Sequence, residues 1–150
     1  MLVGRNADKL AATQALIVGK GGSAECFAAD VRDWDRMGEL GELVAESGLD
    51  LLINSAGGQF ARLARDLSRG GWKAVVETNL DGAFFLSRQL YPALAKRSGA
   101  VVHVVANLWQ RGAATMAHSA AARAGVVNLT QTLAIEWAGE GIRVNAVSPG

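Results

Sequence analysis

Short apolar runs alternate with segments of helical periodicity along the chain, and this alternation constrains the fold more than any other feature. Strands are predicted at five apolar runs: Met1 to Val3, Ser23 to Val31, Leu49 to Asn54, Ala100 to Ala106 and Ile142 to Val147. Helices are predicted between them: Asn6 to Ile17, Asp33 to Ser47, a long interrupted region from Phe60 to Lys96, and Ala113 to Ala138. Strands separated by helices pair in parallel, and the helices cover both faces of the sheet. The sequence therefore predicts an α/β fold with a doubly wound parallel sheet.

Length and composition fit a single domain over residues 1–150. Half of the residues are hydrophobic and 19% are charged, which is enough apolar material for a core. The formal net charge of +1 gives none of the basic excess that nucleic-acid binding requires. No apolar run reaches membrane-spanning length, and the amino terminus lacks a secretory pattern. We therefore expect a cytoplasmic protein with neither nucleic acid nor a membrane as its partner.

Metal and disulfide chemistry are not expected. Cys26 is the only cysteine, which excludes an internal disulfide framework and a thiolate cluster, and we expect its thiol to be buried. His103 lies inside an apolar strand, with no second histidine or carboxylate at the spacing of metal ligands. The sequence predicts no metal site.

Three segments place polar or very small residues where a ligand can approach. Asn54-Ser-Ala-Gly-Gly58 follows a strand and leaves room for close backbone contact, although an ordinary turn has the same composition. Asn79 lies inside a predicted helix, where asparagine competes for backbone hydrogen bonds, so it is either functional or solvent-facing. Ser119 and Arg123 are four residues apart on a predicted helix and therefore share one face.

Together these segments resemble the short-chain dehydrogenase/reductase family. Asn54-Ser-Ala-Gly57 resembles its Asn-Asn-Ala-Gly turn, and Thr78-Asn-Leu-Asp-Gly-Ala-Phe84 resembles the segment that supplies the asparagine of its catalytic tetrad. Ser119 and Arg123 stand where the family has its tyrosine and lysine. The resemblance implies a Rossmann-like NAD(P)-binding domain in which Asn54, Ala56, Gly57 and Arg123 contact the cofactor. The tetrad serine is also missing, because its position is Ala106, and the adjacent Asn107 is a weak substitute.

The tyrosine replacement points to one branch of the family. A serine hydroxyl has too high a pKa to replace a phenolic acid, and arginine keeps its proton, so simple ketone reduction is poorly supported. His118-Ser-Ala-Ala-Ala-Arg-Ala-Gly-Val126, together with Gly57-Gly-Gln-Phe60, resembles peroxisomal-type trans-2-enoyl-CoA reductases. Reduction of an enoyl thioester develops charge on the thioester oxygen, which needs hydrogen-bond donors more than a strong acid. The resemblance implies a catalytic set of Asn79, His118, Ser119 and Arg123, in which Ser119 or His118 handles the enolate and its proton.

The resemblance also implies the preferred cofactor. Arg5 follows the first strand at the position where the family's NADP users place a basic residue against the 2′-phosphate, although it is also compatible with a solvated charge beside a helix cap. Asp30 and Val31 resemble the pair that frames the adenine, and Pro149 and Gly150 follow the last strand at the cofactor site. These positions favour NADPH over NADH.

By the same resemblance the sheet is incomplete, because the chain begins at the family's second strand and ends before its seventh. We expect a gap in the sheet beside the first strand and a whole protein of about 250 residues, the upper range for one core.

The function predicted is reduction of 2-enoyl-CoA thioesters in fatty acid metabolism. We expect the enzyme to be a homo-oligomer (dimer or tetramer) that assembles through the helices around 72–97 and 113–138. The alternatives are a general ketoreductase and an inactive truncated relative that only binds or oligomerises.

Overall fold

The computed structural model describes residues 1–149 and has an α/β architecture. Its strands are β1 (Leu2–Gly4), β2 (Cys26–Ala28), β3 (Leu51–Asn54), β4 (Ala100–Val104) and β5 (Arg143–Val147). Its α-helices are α1 (Ala7–Gly19), α2 (Trp34–Ala45), α3 (Arg69–Val76), α4 (Gly82–Arg97) and α5 (Ala117–Glu136). All strand pairs are parallel, with β1 beside β2 and β3, β4 and β5 adjacent in that order. The predicted α/β class with a parallel sheet is confirmed.

Side-chain caps begin three of the helices. The carboxamide of Asn6 accepts a hydrogen bond from the N–H of Lys9 at 2.9 Å, and Asp33 caps α2 in the same way. Ser68 accepts from the N–H of Gly71 at 3.0 Å, which fixes the start of α3. The prediction that helix follows directly after Phe60 is therefore wrong, since apart from one 3₁₀ turn at Ala64–Asp66 the segment before Ser68 is irregular.

Two other predicted elements are shorter in the structure. Strand β2 spans Cys26–Ala28 rather than Ser23 to Val31, because its partner β1 has only three paired residues. Helix α5 begins at Ala117 rather than near Ala113, because Thr115 has a φ of +68°, which a right-handed helix cannot contain. Cys26 is exposed, so the prediction of a buried thiol is wrong. The short strand β2 lies at the edge of a two-stranded sheet, and its first residue is not covered there.

Helix α4 packs against α2 and against β3 and β4, and side chains of α2 join the same hydrophobic core. Helix α5 packs along β5 and completes the hydrophobic core. Buried members of this core come from α2, α4, α5 and the three strands, and they include Met37, Leu40, Leu52, Leu86, Leu90, Leu94, Val101, Leu133 and Val144. The core therefore fixes β3, β4 and β5 relative to α5, and these are the elements that meet at the candidate site.

The sheet is divided between β1 and β3. No hydrogen bonds join the two sheets within residues 1–149, and the free edges of β1 and β3 border a groove of about 540 Å³. The groove is mostly apolar, with a lining that includes Leu2, Val3, Leu51, Leu52, Ile53 and Leu86. Leu51 and Ile53 are 48% and 62% exposed there. The predicted gap beside the first strand is confirmed.

Among the described residues, no helix combines the length and the apolar character needed to cross a bilayer. In the same part of the chain, no three His, Cys, Asp or Glu side chains are grouped as metal ligands. His103 instead lies buried between Ser87 and Thr130, within hydrogen-bond distance of both hydroxyls.

Candidate active site

The polar residues predicted to act together lie at one edge of the three-stranded sheet. β3 ends at Asn54 and β4 at Val104, and because the strands are parallel their carboxyl ends share an edge. The chain that follows β3 crosses this edge and contacts the first two turns of α5, where Ser119 and Arg123 lie. Ligands of open α/β sheets bind in this position, outside the carboxyl ends of the strands.

Gly57 lies at the centre of the site against two polar side chains. A methyl group at Gly57 would overlap both the guanidinium of Arg123 and the carboxamide oxygen of Asn79. The bare backbone is therefore required for the close approach of these two side chains. The space beside the Cα of Gly57 is thus occupied by these two polar side chains, which brings the turn after β3 close to α5. The structure thus brings together three residues that the sequence assigned to one site.

Asn79 is held by both ends of its carboxamide. Its Oδ1 accepts from the N–H of Gly58 at 3.0 Å, and its Nδ2 donates to the carbonyl oxygen of Gly58 at 2.8 Å. The residue is 1% exposed and lies in a π-helical turn, Glu77–Asp81, between α3 and α4. The wide turn moves Asn79 off the regular helical register, as π-turns at functional sites commonly do. The alternative of a solvent-facing asparagine is excluded, and the side chain holds the turn that carries Gly57.

Ser119 pairs with a residue that the sequence did not single out as a site residue. Its hydroxyl donates to Oε1 of Gln59 at 2.7 Å, while Ser119 itself is 1% exposed. Gln59 is exposed, so its remaining amide atoms face outward from this contact. No spacing rule connects positions 59 and 119, so only the folded arrangement shows the pair. Gln59 is thus the main addition that the structure makes to the site.

His118 is buried beside Ser119. Its Nδ1 accepts from the N–H of Ser119 at 2.8 Å, which leaves the ring proton of a neutral imidazole on Nε2. Nε2 has no hydrogen-bond partner within the described residues, and the ring lies edge-on to Phe60 with centroids 4.6 Å apart. The histidine is 0% exposed. It therefore packs the beginning of α5 against the turn that contains Gln59.

Arg123 is partly buried and directed toward the ends of β3 and β4. Its Nη1 donates to the carbonyl oxygen of Val104 at 3.0 Å, and burial lowers its pKa from the ordinary value. Burial, with a smaller contribution from the charge of Arg123, also lowers the pKa of His103 to about 4. The alternative of a helix-surface arginine is excluded. Arg123 therefore brings a fixed positive charge to the site, and the nearby histidine, His103, is neutral.

A second group of predicted cofactor residues lies past β1 and β2. Arg5 is 67% exposed and 3.8 Å from the carboxylate of Asp30, which also pairs with Arg32 at 2.7 Å. The hydrogen bond from Arg32 is the largest effect on the pKa of Asp30 and lowers it. Val31 is buried against Gly82, at the start of α4. The sequence did not single out Arg32, which adds a second guanidinium beside Arg5.

The remaining predicted positions have these places. Asn54 is 4% exposed, and its Nδ2 points inward to the carbonyl oxygen of Ala83 at 3.5 Å. Ala56 is half-buried beside Gly57, and Pro149 is exposed after β5. Gly150 lies outside the described residues. Asn107, the weak substitute for the missing serine, is exposed in a 3₁₀ turn after β4.

A parallel α/β sheet with a glycine turn, a buried asparagine and a partly buried arginine at its carboxyl edge has the arrangement in which open α/β folds bind ligands. The whole chain, residues 1–150, matches the family described as short chain dehydrogenase. The protein belongs to this family, whose members use NAD(P).

Individual relatives agree with this assignment. The chain is 42% identical, over its full length, to a Bacillus subtilis (strain 168) protein named a probable 2,4-dienoyl-CoA reductase, of which the match covers 61%. It is 36% identical over 95% of its length to the 3-oxoacyl-acyl-carrier-protein reductase FabG of Staphylococcus epidermidis, covering 60% of that protein. Among solved structures, the citronellol catabolism dehydrogenase AtuB of Pseudomonas aeruginosa PAO1 superposes with a TM-score of 0.92 at 39% identity, over 99% of this chain and 62% of that one. The chain thus spans about three fifths of the length of these relatives.

Proposed function

We propose that the whole protein is an NADPH-dependent reductase that saturates the double bond of 2-enoyl-CoA thioesters. The observation that carries this proposal is the Ser119–Gln59 pair at the position where the family has its phenolic acid. The chain contains a single tyrosine, Tyr91, which lies in α4 with its ring 5.1 Å from that of Trp137. Tyr91 is therefore part of a different cluster, and the site must work without a phenol from this chain.

The names of the relatives support the thioester substrate. Besides the Bacillus protein, a peroxisomal 2,4-dienoyl-CoA reductase of Pongo abelii is 39% identical over 68% of the chain, although the match covers only 35% of that protein. The relatives named FabG keep the general ketoreductase as the second candidate. Ketone reduction requires a proton on the nascent alkoxide, a task for which serine and arginine are poorly suited. The site therefore favours the enoyl substrate.

The residues present fit a nicotinamide dinucleotide. The bare backbone at Gly57 lets Arg123 and Asn79 lie against the turn after β3, at the carboxyl edge of the sheet where folds of this kind bind their ligands. These residues would hold the nicotinamide side of NADPH, while Asp30 and Val31 would frame the adenine. Arg5, exposed after β1, would bind the 2′-phosphate. When bound, NADPH supplies the hydride for the β-carbon of the substrate.

Addition of hydride at the β-carbon would move the electron pair of the double bond onto the thioester oxygen, and a proton supplied by Ser119 or His118 would then add at the α-carbon. The Ser119–Gln59 pair stabilises the oxygen because it always retains a free donor. With Oε1 of Gln59 accepting from Ser119, as in the structure, the Nε2 protons of Gln59 remain free. With the carboxamide reversed, the hydroxyl of Ser119 is free instead. Arg123 contributes fixed positive charge and no proton.

The test is product analysis on the full-length protein with NADPH, comparing crotonyl-CoA with acetoacetyl-CoA. We expect crotonyl-CoA to be the faster substrate and butyryl-CoA the product. Gln59→Glu should lower kcat by about 10²-fold, the usual cost of one oxyanion donor, because it replaces a donor with a negative charge. The Kd for NADPH should stay unchanged. Gln131→Glu, on the exposed side of α5, is the matched control and should leave both quantities unchanged.

Each alternative has its own outcome. Faster turnover of acetoacetyl-CoA, with a hydroxyacyl product, would overturn the enoyl assignment and establish the ketoreductase. Failure of the folded full-length protein to bind either NADPH or NADH would establish the non-catalytic relative.

A further inference from the structure

A short segment beside the candidate active site carries a larger net positive charge than the whole chain. Residues 61–73 contain three arginines and one lysine but only one acidic residue, a net charge of +3. The whole chain has a net charge of +1, so the other 137 residues together carry −2. The four basic residues are all exposed: Arg62, Arg65, Arg69 and Lys73. We name residues 60–73 the basic segment, including Phe60 because it anchors the segment.

The basic segment is fixed to the mouth of the candidate site. Phe60, next to Gln59, packs edge-on against the buried His118, and the tip of its ring lies beside Gly71 in the first turn of α3. The N–H of Arg62 donates to the carbonyl oxygen of Thr115 at 3.0 Å, which ties the segment to the loop that enters α5. The amino-terminal end of the segment is therefore anchored close to the Ser119–Gln59 pair, and Phe60 joins it to the beginning of α3.

The charges of the segment are mostly available to a ligand. Lys73 pairs with Glu77 at 3.4 Å, and Arg65 lies 3.7 Å from the neighbouring Asp66. Within residues 1–149, no carboxylate lies within 4.0 Å of the guanidinium of Arg62 or Arg69. Guanidinium groups bind phosphate oxygens in bidentate geometry, which gives them preference over lysine at phosphate sites. Three exposed arginines lie within eight positions of the sequence, and together they can bind more than one phosphate group.

Apolar side chains are interleaved with these arginines. Phe60, Leu63 and Trp72 are 41%, 43% and 43% exposed, although each is large enough to form part of a core. A surface that combines guanidinium groups with exposed aromatic and aliphatic groups matches a ligand that has phosphates at one end and an apolar arm at the other. Coenzyme A thioesters have this chemistry, because a pyrophosphate and a phosphomonoester are joined through pantetheine to the acyl chain.

We propose that the basic segment is the binding surface for the coenzyme A part of the substrate, with Arg62, Arg65 and Arg69 on its phosphates and Phe60, Leu63 and Trp72 along its pantetheine arm. This inference rests on the proposed function, because it names the carrier of the same acyl substrate. It goes beyond that function in stating that the enzyme recognises the carrier through phosphate charge. The acyl group alone therefore provides only part of the affinity.

The experiment uses the full-length protein and two substrates with the same acyl group, crotonyl-CoA and crotonyl-N-acetylcysteamine, which lacks all the phosphates. The test variant is Arg62→Gln/Arg65→Gln/Arg69→Gln. The charge-matched control is Lys20→Gln/Lys96→Gln/Arg143→Gln, whose residues are exposed near the amino ends of the strands, at the opposite edge of the sheet. We expect the test variant to raise KM for crotonyl-CoA at least 10-fold, with kcat and the N-acetylcysteamine reaction unchanged. The control should behave as the wild type.

A second measurement does not depend on turnover. Free coenzyme A is titrated into the protein by calorimetry, with pantetheine as the ligand that lacks phosphates. The wild type should bind coenzyme A more tightly than pantetheine, and the test variant should lose this difference. Equal affinity of wild type and test variant for coenzyme A overturns the carrier surface even if both reduce crotonyl-CoA. If neither thioester is reduced while coenzyme A binding still depends on the arginines, the proposed function fails and the binding surface remains.

An acyl carrier protein is the competing carrier for the same positive charge. If crotonyl-acyl-carrier protein shows the arginine-dependent rise in KM and crotonyl-CoA does not, the proposal is overturned in favour of a protein carrier. In that case, substitution of the three arginines would not change the affinity for free coenzyme A measured by calorimetry.

Discussion

At the scale of single residues, glycine 57 decides how the site is built. Arg123 and Asn79 can approach each other only because this position has no side chain. Both partners are held from behind, Arg123 by the carbonyl oxygen of Val104 and Asn79 by the backbone of Gly58, so neither can move away freely. A close contact between fixed polar groups leaves little room for adjustment, because protein interiors are close-packed.

We therefore predict that Gly57→Ala lowers the free energy of unfolding by about 1–3 kcal/mol, the usual cost of overpacking. The same substitution should weaken NADPH binding, because a methyl group there would displace Arg123 and Asn79. Gly58→Ala is the matched control, since a methyl group there has no atom within 4 Å. Denaturant unfolding and NADPH fluorescence titration of the two variants check this prediction. Equal losses for Gly57→Ala and Gly58→Ala would show that flexibility of the turn, rather than the close approach, explains the glycines.

At the scale of elements, a buried hydrogen-bonded cluster joins α4, β4 and α5 behind the site. His103 on β4 lies 3.2 Å from the hydroxyl of Ser87 on α4 and 3.1 Å from that of Thr130 on α5. Each hydroxyl is also within donating distance of a carbonyl oxygen in its own helix, Ala83 for Ser87 and Val126 for Thr130. A neutral imidazole has one donor and one acceptor, so one of the two hydroxyls must turn its proton toward the ring.

This cluster predicts a pH-dependent stability. Because burial lowers the pKa of His103 from 6.5 to about 4, the unfolded chain binds more protons than the folded one between these values. The contribution of His103 is therefore fully present above pH 6.5 and is lost as the pH falls toward 4. The loss should amount to about 3 kcal/mol, at roughly 1.4 kcal/mol for each pH unit.

Urea unfolding at several pH values, compared between the wild type and His103→Gln, measures this contribution. Carboxylates titrate in both proteins, so the difference between the two curves isolates the histidine. The difference should shrink steadily as the pH falls from 6.5 to 4. A difference that does not change with pH over this range would mean that His103 has the same pKa in the folded and the unfolded state, which contradicts the prediction.

The elements also show what the sequence could and could not predict. Hydrophobic periodicity was sufficient to predict the α/β order, because amphipathic helices and buried strands depend on local pattern. The helix boundaries near Ser68 and Thr115 were missed, because a side-chain cap and a positive φ override composition. In the site, motif positions predicted that Asn79, Gly57, Ser119 and Arg123 belong together. The partner Gln59 was not predicted, because a contact across sixty positions has no local signal.

At the scale of the whole molecule, the groove between β1 and β3 is the feature with the largest consequence for behaviour in solution. Unpaired strand edges beside exposed apolar side chains favour pairing with another chain, and natural proteins protect such edges. Here Ile53 is 62% exposed on β3 and lines the groove. The chain of residues 1–150, taken alone, therefore presents a free parallel edge with an apolar floor.

We predict that this 150-residue chain self-associates through the groove and that Ile53→Lys reduces the association, because a lysine on an edge opposes strand pairing. Leu16→Lys is the control, since Leu16 is similarly apolar and 67% exposed but lies on α1, away from the groove. Sedimentation velocity over a series of concentrations should show less association for Ile53→Lys than for the wild type, and little change for Leu16→Lys. Binding of a hydrophobic dye should also be weaker for Ile53→Lys than for the wild type, and little changed for Leu16→Lys. Equal effects of the two lysines would assign the association to general surface hydrophobicity, and the open strand edge would then have no special part in it.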